Sequence, residues 1–242
     1  MTSMVNSTVL VTGANRGIGR ALVEEALARG AKRVYAGMRK VTPAADPRVT
    51  PLALDVTDAA QIAAAVEQVE ALDILINNAG VAIYDDLSDR SVLEQHLAVN
   101  LFGTYDVSRA FLPLLTASRG TIVNNLSLNA FAPLPIIPAY SLSKAAAFSL
   151  TQSLRALLAA SGITVHAVIT GPVDTEMSRD FDVPKASAPA AARAILDGVV
   201  NGEEEIFPDA MSATLAEAWR SGPLKAFERQ YAALAATAPV TS

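Results

Sequence analysis

Residues 8–19 of this chain read TVLVTGANRGIG, and this stretch decides the predicted fold. Its first five residues form an apolar, β-branched run, as in a strand that is buried on both faces. From residue 18 to residue 29 the apolar positions follow the spacing of a helix. A strand, a glycine-rich turn and a helix in this order are typical of the first unit of a dinucleotide-binding sheet.

The alternation of strand and helix continues along the chain. Further strands are predicted at 33–37, 49–54, 73–77, 121–125, 163–169 and 205–207, and further helices at 59–69, 91–115, 140–159 and 188–200. These lengths favour right-handed βαβ units. We therefore expect an α/β fold with one domain over residues 1–242: a Rossmann-type, doubly wound parallel sheet with helices on both faces. The loop at 176–189 follows a strand, where substrate usually binds.

Composition excludes several classes of protein. Hydrophobic residues make up 51% and charged residues 18%, which excludes wholesale disorder. The net charge of −5 argues against nucleic acid or an anionic membrane as a partner. There is no cysteine, and the two histidines, His96 and His166, are interpreted as packing residues, so no metal site is predicted. Neither a basic signal segment nor a membrane-length apolar run occurs, and a cytoplasmic protein is expected.

The glycines of the first turn have distinct expected roles. Gly13 permits a positive φ, Gly17 lets the backbone approach a diphosphate, and Gly19 lets the helix pack close to the sheet. The helix N-terminus attracts an anion. Because the spacing differs from the standard Gly-x-Gly-x-x-Gly, a purely structural turn remains the alternative.

A second candidate site contains Tyr140 and Lys144. These residues are four apart, so they share one face of the predicted helix. A phenol with an ordinary pKa near 10 is a poor base at neutral pH, and a neighbouring ammonium is expected to lower that pKa. Since any amphipathic helix can contain such a pair, it indicates acid–base chemistry only together with Ser127 and the glycine turn.

Residues 8–177 resemble the short-chain dehydrogenase/reductase family, in particular its NADP(H)-dependent carbonyl reductases and alcohol dehydrogenases. The motifs that carry the resemblance occur in the family's order: TGANRGIG at 12–19, LDV at 54–56, NNAG at 77–80, then Asn100, Ser127, Tyr140 and Lys144.

The resemblance implies an oxidoreductase that transfers a hydride between a nicotinamide cofactor and a carbonyl or alcohol. Tyr140 would protonate the forming alkoxide or deprotonate the alcohol, and Ser127 would position the carbonyl oxygen. Lys144 would bind the nicotinamide ribose and lower the pKa of Tyr140. Asn100 would hold a water of a proton relay, with a helix kink as its alternative role.

The end of the second predicted strand indicates which nicotinamide cofactor binds. The segment 35–40 reads YAGMRK and contains no acidic residue that would bind ribose hydroxyls. Arg39, together with Arg16 in the glycine turn, is expected to bind a 2′-phosphate. The interpretation is NADP(H) rather than NAD(H), with solvated loop charges as the alternative.

The resemblance also implies a wider set of cofactor contacts. They are Gly13, Asn15, Arg16, Gly17, Ile18, Gly19, Arg39, Asp55, Val56, Asn78, Ala79, Gly80, Tyr140, Lys144, Gly171, Val173 and Thr175. Asp55 and Val56 would face the adenine, although Asp55 could instead cap the next helix. Val173 and Thr175 would meet the nicotinamide carboxamide. The sequence departs from the family at Thr170, where proline is usual.

Apolar residues dominate the predicted substrate pocket, whose walls are expected to include Leu128, Leu134, Met177 and Phe181. A neutral, apolar ketone, aldehyde or secondary alcohol is favoured. Core or interface packing is the alternative for several of them. Three charged residues of the same loop are interpreted as solvated: Asp180, Asp182 and Lys185.

Three other functions stay open at this point. One is an NAD(H)-preferring alcohol dehydrogenase, another is a catalytically silent cofactor-binding regulatory protein, and the third is a cofactor-free lyase or dehalogenase. The predicted helices 91–115 and 140–159 resemble the faces through which the family forms homodimers and homotetramers. The residues Glu203–Glu205 are predicted to form a solvated turn.

Overall fold

The central strand β1 (Thr8–Thr12) is buried on both faces, and the sheet extends from it in two directions. The computed structural model describes residues 2–235. The other strands are β2 (Arg33–Met38), β3 (Val49–Ala53), β4 (Ile74–Asn77), β5 (Thr121–Asn125), β6 (Thr164–Val168), β7 (Val173–Asp174), β8 (Ala186–Ser187) and β9 (Glu205–Ile206). Seven of them form one parallel sheet in the order β3-β2-β1-β4-β5-β6-β9, and β7 pairs with β8.

Helices cover both faces of the sheet, as the sequence predicts. They are α1 (Gly17–Ala28), α2 (Ala59–Gln68), α3 (Arg90–Leu97), α4 (Thr104–Ser118), α5 (Pro138–Leu158), α6 (Ala188–Val200), α7 (Ala210–Ser221) and α8 (Pro223–Ala235). Alternate residues of β1 point to opposite sides. Val9 packs with Leu22 of α1 and Ile195 of α6, whereas Leu10 packs with Phe111 of α4. The doubly wound α/β fold is therefore confirmed. No helix within residues 2–235 is long and apolar enough to cross a membrane.

The long helix predicted over 91–115 is present, but it is not a regular α-helix throughout. Helix α3 ends at Leu97, and a π-helical segment, Ala98–Gly103, joins it to α4. At Gly103 a Cβ would lie 2.6 Å from Val56 Cγ2, so the absence of a side chain lets the segment approach the turn that follows β3. The interruption places Asn100 inside the fold, where it is 1% exposed.

The predicted solvated turn at Glu203–Glu205 is also wrong at its last residue. Glu205 lies in β9 and is 3% exposed, because two cations from distant parts of the chain bind it. Arg155 Nη1 and Lys225 Nζ each lie 2.8 Å from a Glu205 carboxylate oxygen. Lys225 lies in α8, so this C-terminal helix, which the sequence analysis does not predict, is thereby joined to the edge of the sheet.

Candidate active site

The strand order reverses between β1 and β4, and the polar motifs lie at the carboxyl ends of these strands. Gly13 follows β1, and Asn78 follows β4. In a doubly wound sheet this switch point is where ligands bind. The structure thus brings the glycine turn and the NNAG turn together: a Cβ on Gly13 would lie 2.9 Å from the Cα of Ala79.

Glycine is required at three positions of the first turn. Gly13 and Gly17 have φ values of 65° and 53°, in the region that favours glycine. At Gly19 a Cβ would lie 2.2 Å from the carbonyl oxygen of Gly13, so any larger residue forces the turn to shift. The positive φ predicted for Gly13 is confirmed, and the approach of Gly17 to a diphosphate stays a prediction.

The N-terminus of α1 provides a cradle for an anion. Its N-cap, Arg16, has an extended backbone and no side-chain capping hydrogen bond. Amides of the first helical turn therefore have no partner from a capping side chain, and the helix dipole adds to their attraction for negative charge. Gly17 faces Thr175 across this cradle, since its Cβ would lie 3.1 Å from Thr175 Cγ2. The cradle fits a diphosphate group.

Ser127 and Tyr140 come together at the carboxyl end of the sheet, and each is 9% exposed. Pro138 begins α5 and so places Tyr140 in its first turn, while Ser127 follows β5 and caps a short 3₁₀ turn at Leu128–Ala130. Burial raises the pKa of Tyr140 to about 12, and its interaction with the Ser127 side chain acts in the lowering direction. A raised pKa is opposite to the direction that the sequence analysis expects, because burial disfavours the phenolate.

Lys144 lies one turn after Tyr140, as its spacing predicts. The ammonium is 5.6 Å from the centroid of the Tyr140 ring and donates a hydrogen bond of 2.9 Å to the carbonyl oxygen of Asn125. Lys144 is 5% exposed, and burial lowers its pKa to about 8. Among residues 2–235, no carboxylate lies within ion-pair distance of it.

Asn100 braces the segment that follows the NNAG turn. Its Oδ1 accepts the backbone N–H of Val81 at 2.9 Å, and its Nδ2 donates to Val81 O at 3.0 Å and to Ser143 Oγ at 2.9 Å. Gly80 separates Asn100 from Lys144, since a Cβ there would lie 3.2 Å from Asn100 Oδ1 and 3.8 Å from Lys144 Nζ. The four residues of the predicted catalytic set therefore lie in one neighbourhood, although the relay water stays a prediction.

Asp55 does not cap helix α2. The capping residue is Asp58, whose carboxylate accepts the backbone N–H groups of Ala60 and Gln61. Asp55 Oδ1 instead accepts the backbone N–H and the hydroxyl of Thr57, at 3.0 and 2.7 Å. This excludes the capping alternative and leaves the predicted adenine contact open.

The two arginines proposed for a 2′-phosphate are both exposed. Arg39 lies just after β2, and among the described residues no carboxylate pairs with it. Arg16 forms an ion pair with Glu176, the first residue of a 3₁₀ turn in the predicted substrate loop. The sequence gives no signal for this pair. It means that an anion at the glycine turn competes with Glu176 for Arg16.

The segment 170–175 is held from both sides. Thr170 Oγ1 donates to Asn125 Oδ1 at 2.7 Å, and the backbone N–H of Gly171 donates to Asp209 Oδ2 at 2.7 Å. Val173 then pairs in β7 with β8, which lies inside the predicted substrate loop. The sequence analysis misses Asp209 as a partner of this segment, and its position as N-cap of α7 is the only signal that could have indicated it.

The surroundings of three predicted pocket residues, Leu128, Met177 and Phe181, differ, and the substrate pocket stays a prediction. Leu128 packs partly against the apolar cluster around Phe148, and Met177 is 49% exposed. Phe181 contacts the Tyr84 ring, with centroids 6.1 Å apart. Phe181 also lines an open cavity of about 430 Å³, whose other lining residues are Asp174, Arg179, Asp180, Asp182, Val183 and Lys185. That cavity contains no member of the predicted catalytic set.

His96 packs against the candidate site, next to Tyr140 and Ile83. It is fully buried, in agreement with a packing role. Its Nε2 accepts the backbone N–H of Ile83 at 3.0 Å, so the proton resides on Nδ1, which lies 2.8 Å from Val92 O. The ring meets that of Tyr140 edge-on at 6.2 Å. His96 therefore holds the chain after the NNAG turn and lies beside the Tyr140 ring.

Comparison with known proteins agrees with this geometry. A family model described as short chain dehydrogenase matches residues 7–185. Short-chain dehydrogenase ptmH of Penicillium ochrochloron is 37% identical over 230 residues, which cover 88% of this chain and 82% of that protein. An uncharacterized oxidoreductase of Staphylococcus epidermidis is 32% identical over 212 residues, covering 83% of this chain and 92% of that protein.

A solved structure is similar over nearly its whole length. The crystal structure of a short chain dehydrogenase from Burkholderia cenocepacia J2315 in complex with NADP has a TM-score of 0.86 and 36% sequence identity to this chain. The similarity covers 94% of this chain and 98% of that one. The motifs, the fold and the extent of these matches show that the chain belongs to the short-chain dehydrogenase family of oxidoreductases.

Proposed function

We propose that this protein transfers a hydride between NADP(H) and a neutral, apolar ketone, aldehyde or secondary alcohol. The observation that carries the proposal is the position of Tyr140 between Ser127 and Lys144, at the same end of the sheet as the glycine turn. These groups supply an acid, a carbonyl-positioning hydroxyl and a cation, which is what carbonyl reduction requires of the protein.

The residues present fit a dinucleotide phosphate. The turn of Gly13, Gly17 and Gly19 with the N-terminus of α1 would hold the diphosphate, and Arg16 and Arg39 would hold the 2′-phosphate. NADPH, when bound, supplies the hydride. The exposed guanidiniums and the missing acid after β2 support NADP(H) over NAD(H), as does the NADP in the Burkholderia relative.

Tyr140 is the proposed proton donor for reduction. With a pKa of about 12 its phenol is protonated at neutral pH, so it can donate to the carbonyl oxygen as that oxygen gains charge. The Ser127 hydroxyl would donate a second hydrogen bond to the same oxygen. Lys144 would stabilise the phenolate that remains.

Exposed apolar side chains support assembly into a homodimer or homotetramer. Phe102 and Tyr105 are 54% and 42% exposed beside or on α4, and Leu142 on α5 is 49% exposed. An exposed apolar surface of this kind is typical of an interface between protein chains.

The test measures NADPH and NADH oxidation with aryl, cyclic and aliphatic carbonyl compounds, for the wild type and for Tyr140→Phe. We expect a higher kcat/KM with NADPH than with NADH, and a Tyr140→Phe rate below a tenth of wild type with unchanged NADP⁺ affinity. Tyr231→Phe is the matched control, because that tyrosine is 67% exposed on α8. A Tyr140→Phe variant above a tenth of the wild-type rate contradicts the acid–base role. Cofactor binding without turnover favours a silent regulatory protein.

A further inference from the structure

Asn77 ends β4 and Asn78 follows it, while two consecutive asparagines, Asn124 and Asn125, end β5. Asn77 pairs in register with Asn124, and the next residues along the chain are Asn78 and Asn125. Because neighbouring residues of a strand point to opposite faces, the four asparagines form two separate sets of hydrogen bonds. We name the set of Asn77 and Asn124 the inner ladder, and the set of Asn78 and Asn125 the outer ladder.

The inner ladder fastens helices to the sheet. Asn77 Nδ2 donates to Ser108 Oγ and to Asn124 Oδ1, both at 2.9 Å, and Asn124 Nδ2 donates to Thr151 Oγ1 at 2.9 Å. All four side chains are buried, and Thr151 is fully buried in α5. None of them belongs to the predicted cofactor or catalytic residues.

The outer ladder runs between the segments proposed to hold the cofactor. Thr170 Oγ1 donates to Asn125 Oδ1 at 2.7 Å, and Asn125 Nδ2 donates to Asn78 Oδ1 at 3.0 Å. Asn78 Nδ2 then donates to the carbonyl oxygens of Thr12 and Gly13, at 3.0 and 3.3 Å. A continuous chain of hydrogen bonds thus joins the segment after β6, the ends of β5 and β4, and the glycine turn.

Asn125 also connects this chain of hydrogen bonds to Lys144. The carbonyl oxygen of Asn125 accepts the hydrogen bond from Lys144 Nζ at 2.9 Å. The side chain of Asn125 therefore holds Thr170 while its backbone holds Lys144. A shift of this residue would move both.

Thr170 stands where proline is usual in the resemblance noted above. A proline ring fixes φ and offers no donor, whereas a threonine leaves φ free and adds a hydroxyl. Here the hydroxyl is fixed by Asn125, and the carbonyl oxygen of Thr170 accepts the N–H of Leu128 at 3.0 Å. Hydrogen bonds replace the covalent restraint of the ring.

We propose that Asn125 and Thr170 are positioning residues for cofactor binding and hydride transfer. The outer ladder sets the distance between the glycine turn and residues 170–175 and also orients Lys144. This inference rests on the proposed function, because it assumes that NADP(H) binds between those two segments.

The experiment compares Thr170→Val and Thr170→Ser with Thr151→Val and Thr151→Ser. Each Val variant deletes one threonine hydroxyl bound to an asparagine, in the outer or the inner ladder. Calorimetry measures the Kd for NADP⁺, steady-state kinetics measures kcat and KM for NADPH, and melting temperatures are measured for all variants. Thr170→Ala is the second variant that removes the hydroxyl, in case Thr170→Val does not fold.

We expect Thr170→Val to raise the Kd for NADP⁺ about fivefold or more and to lower kcat, since one buried hydrogen bond is lost beside the cofactor. Thr170→Ser, which keeps the hydroxyl, should return both values to within about twofold of wild type. Thr151→Val should melt earlier with Kd and kcat unchanged.

The inference is overturned if Thr170→Val has the wild-type Kd and kcat. It is also overturned if Thr151→Val loses as much NADP⁺ affinity and kcat as Thr170→Val does, because either result makes the outer ladder merely structural. Failure of the wild type itself to bind NADP⁺ overturns the proposed function and this inference together. A wild type that binds NADP⁺, with a Thr170→Val variant that binds equally well, leaves the proposed function intact and removes only the ladder's role.

Discussion

Replacing Lys144 by Met is expected to stabilise the fold at pH 7 while it removes the proposed activity. Lys144 is 5% exposed, and its ammonium donates to one carbonyl oxygen, that of Asn125. A buried cation without a carboxylate partner costs free energy in the folded protein. Met has a similar length and no charge, so it fills the same space without that cost.

The magnitude follows from the pKa of Lys144. Burial lowers that pKa from 10.5 to about 8. A pKa shift of one unit corresponds to about 1.4 kcal/mol, so the folded protein disfavours the charged form of Lys144 by about 3 kcal/mol. Losing the hydrogen bond to Asn125 costs about 1 kcal/mol. The free energy of unfolding of Lys144→Met should therefore exceed that of wild type by about 2 kcal/mol at pH 7.

The pH dependence has a definite sign. The folded pKa of Lys144 lies below the unfolded one, so the unfolded chain binds more protons between about pH 8 and pH 10.5. Wild-type stability gains from this group as pH rises through that window. Removing the buried charge in Lys144→Met therefore raises the free energy of unfolding by its full amount below about pH 8. This gain falls to about half by pH 9.5 and disappears above about pH 10.5.

Urea unfolding at pH 7 and pH 9.5, followed by the fluorescence of Trp219, measures the difference. Lys225→Met is the matched control: Lys225 is 2% exposed, and its Nζ lies 2.8 Å from carboxylate oxygens of Glu204, Glu205 and Glu228. Removing this paired cation should destabilise the protein by about 3–5 kcal/mol. A Lys144→Met variant less stable than wild type at pH 7, or a difference that does not change with pH, would refute the reasoning.

Three further predictions concern the cofactor. Gly19→Ala places a Cβ 2.2 Å from Gly13 O, so calorimetry should show at least about a tenfold loss of NADP⁺ affinity; wild-type affinity contradicts the proposed diphosphate cradle. Glu176→Gln removes the partner of Arg16, so NADP⁺ should bind about two- to fivefold more tightly, while the affinity for NAD⁺ should not change. If both cofactors gain affinity equally, Arg16 does not lie beside the 2′-phosphate. The kcat/KM for NADPH should fall above about pH 8 as Lys144 loses its proton, and a flat profile to pH 9.5 opposes its role.

The elements that sequence predicts correctly depend on local patterns. The apolar run of β1 coincides with its predicted bounds at Thr8–Thr12. The glycine turn has the positive φ values that its composition indicates. Tyr140 and Lys144 share a helix face because four residues make about one turn. Periodicity, turn chemistry and motif order need only neighbouring residues, so the sequence contains them directly.

The features that sequence misses depend on partners far along the chain. The π-helical segment at Asn100 is braced by Val81, nineteen residues earlier. Glu205 is buried because Arg155 and Lys225 neutralise it, fifty residues before and twenty after.

The sequence alone therefore determined the doubly wound fold, the glycine turn and the residue types of the candidate site. Only the tertiary structure decided which charges are buried and which long-range hydrogen bonds form. One example is the hydrogen bond between Thr170 and Asn125, which are forty-five residues apart. Burial sets the pKa values of Tyr140 and Lys144 in the same way, because desolvation depends on everything packed around a group and not on its neighbours in the chain.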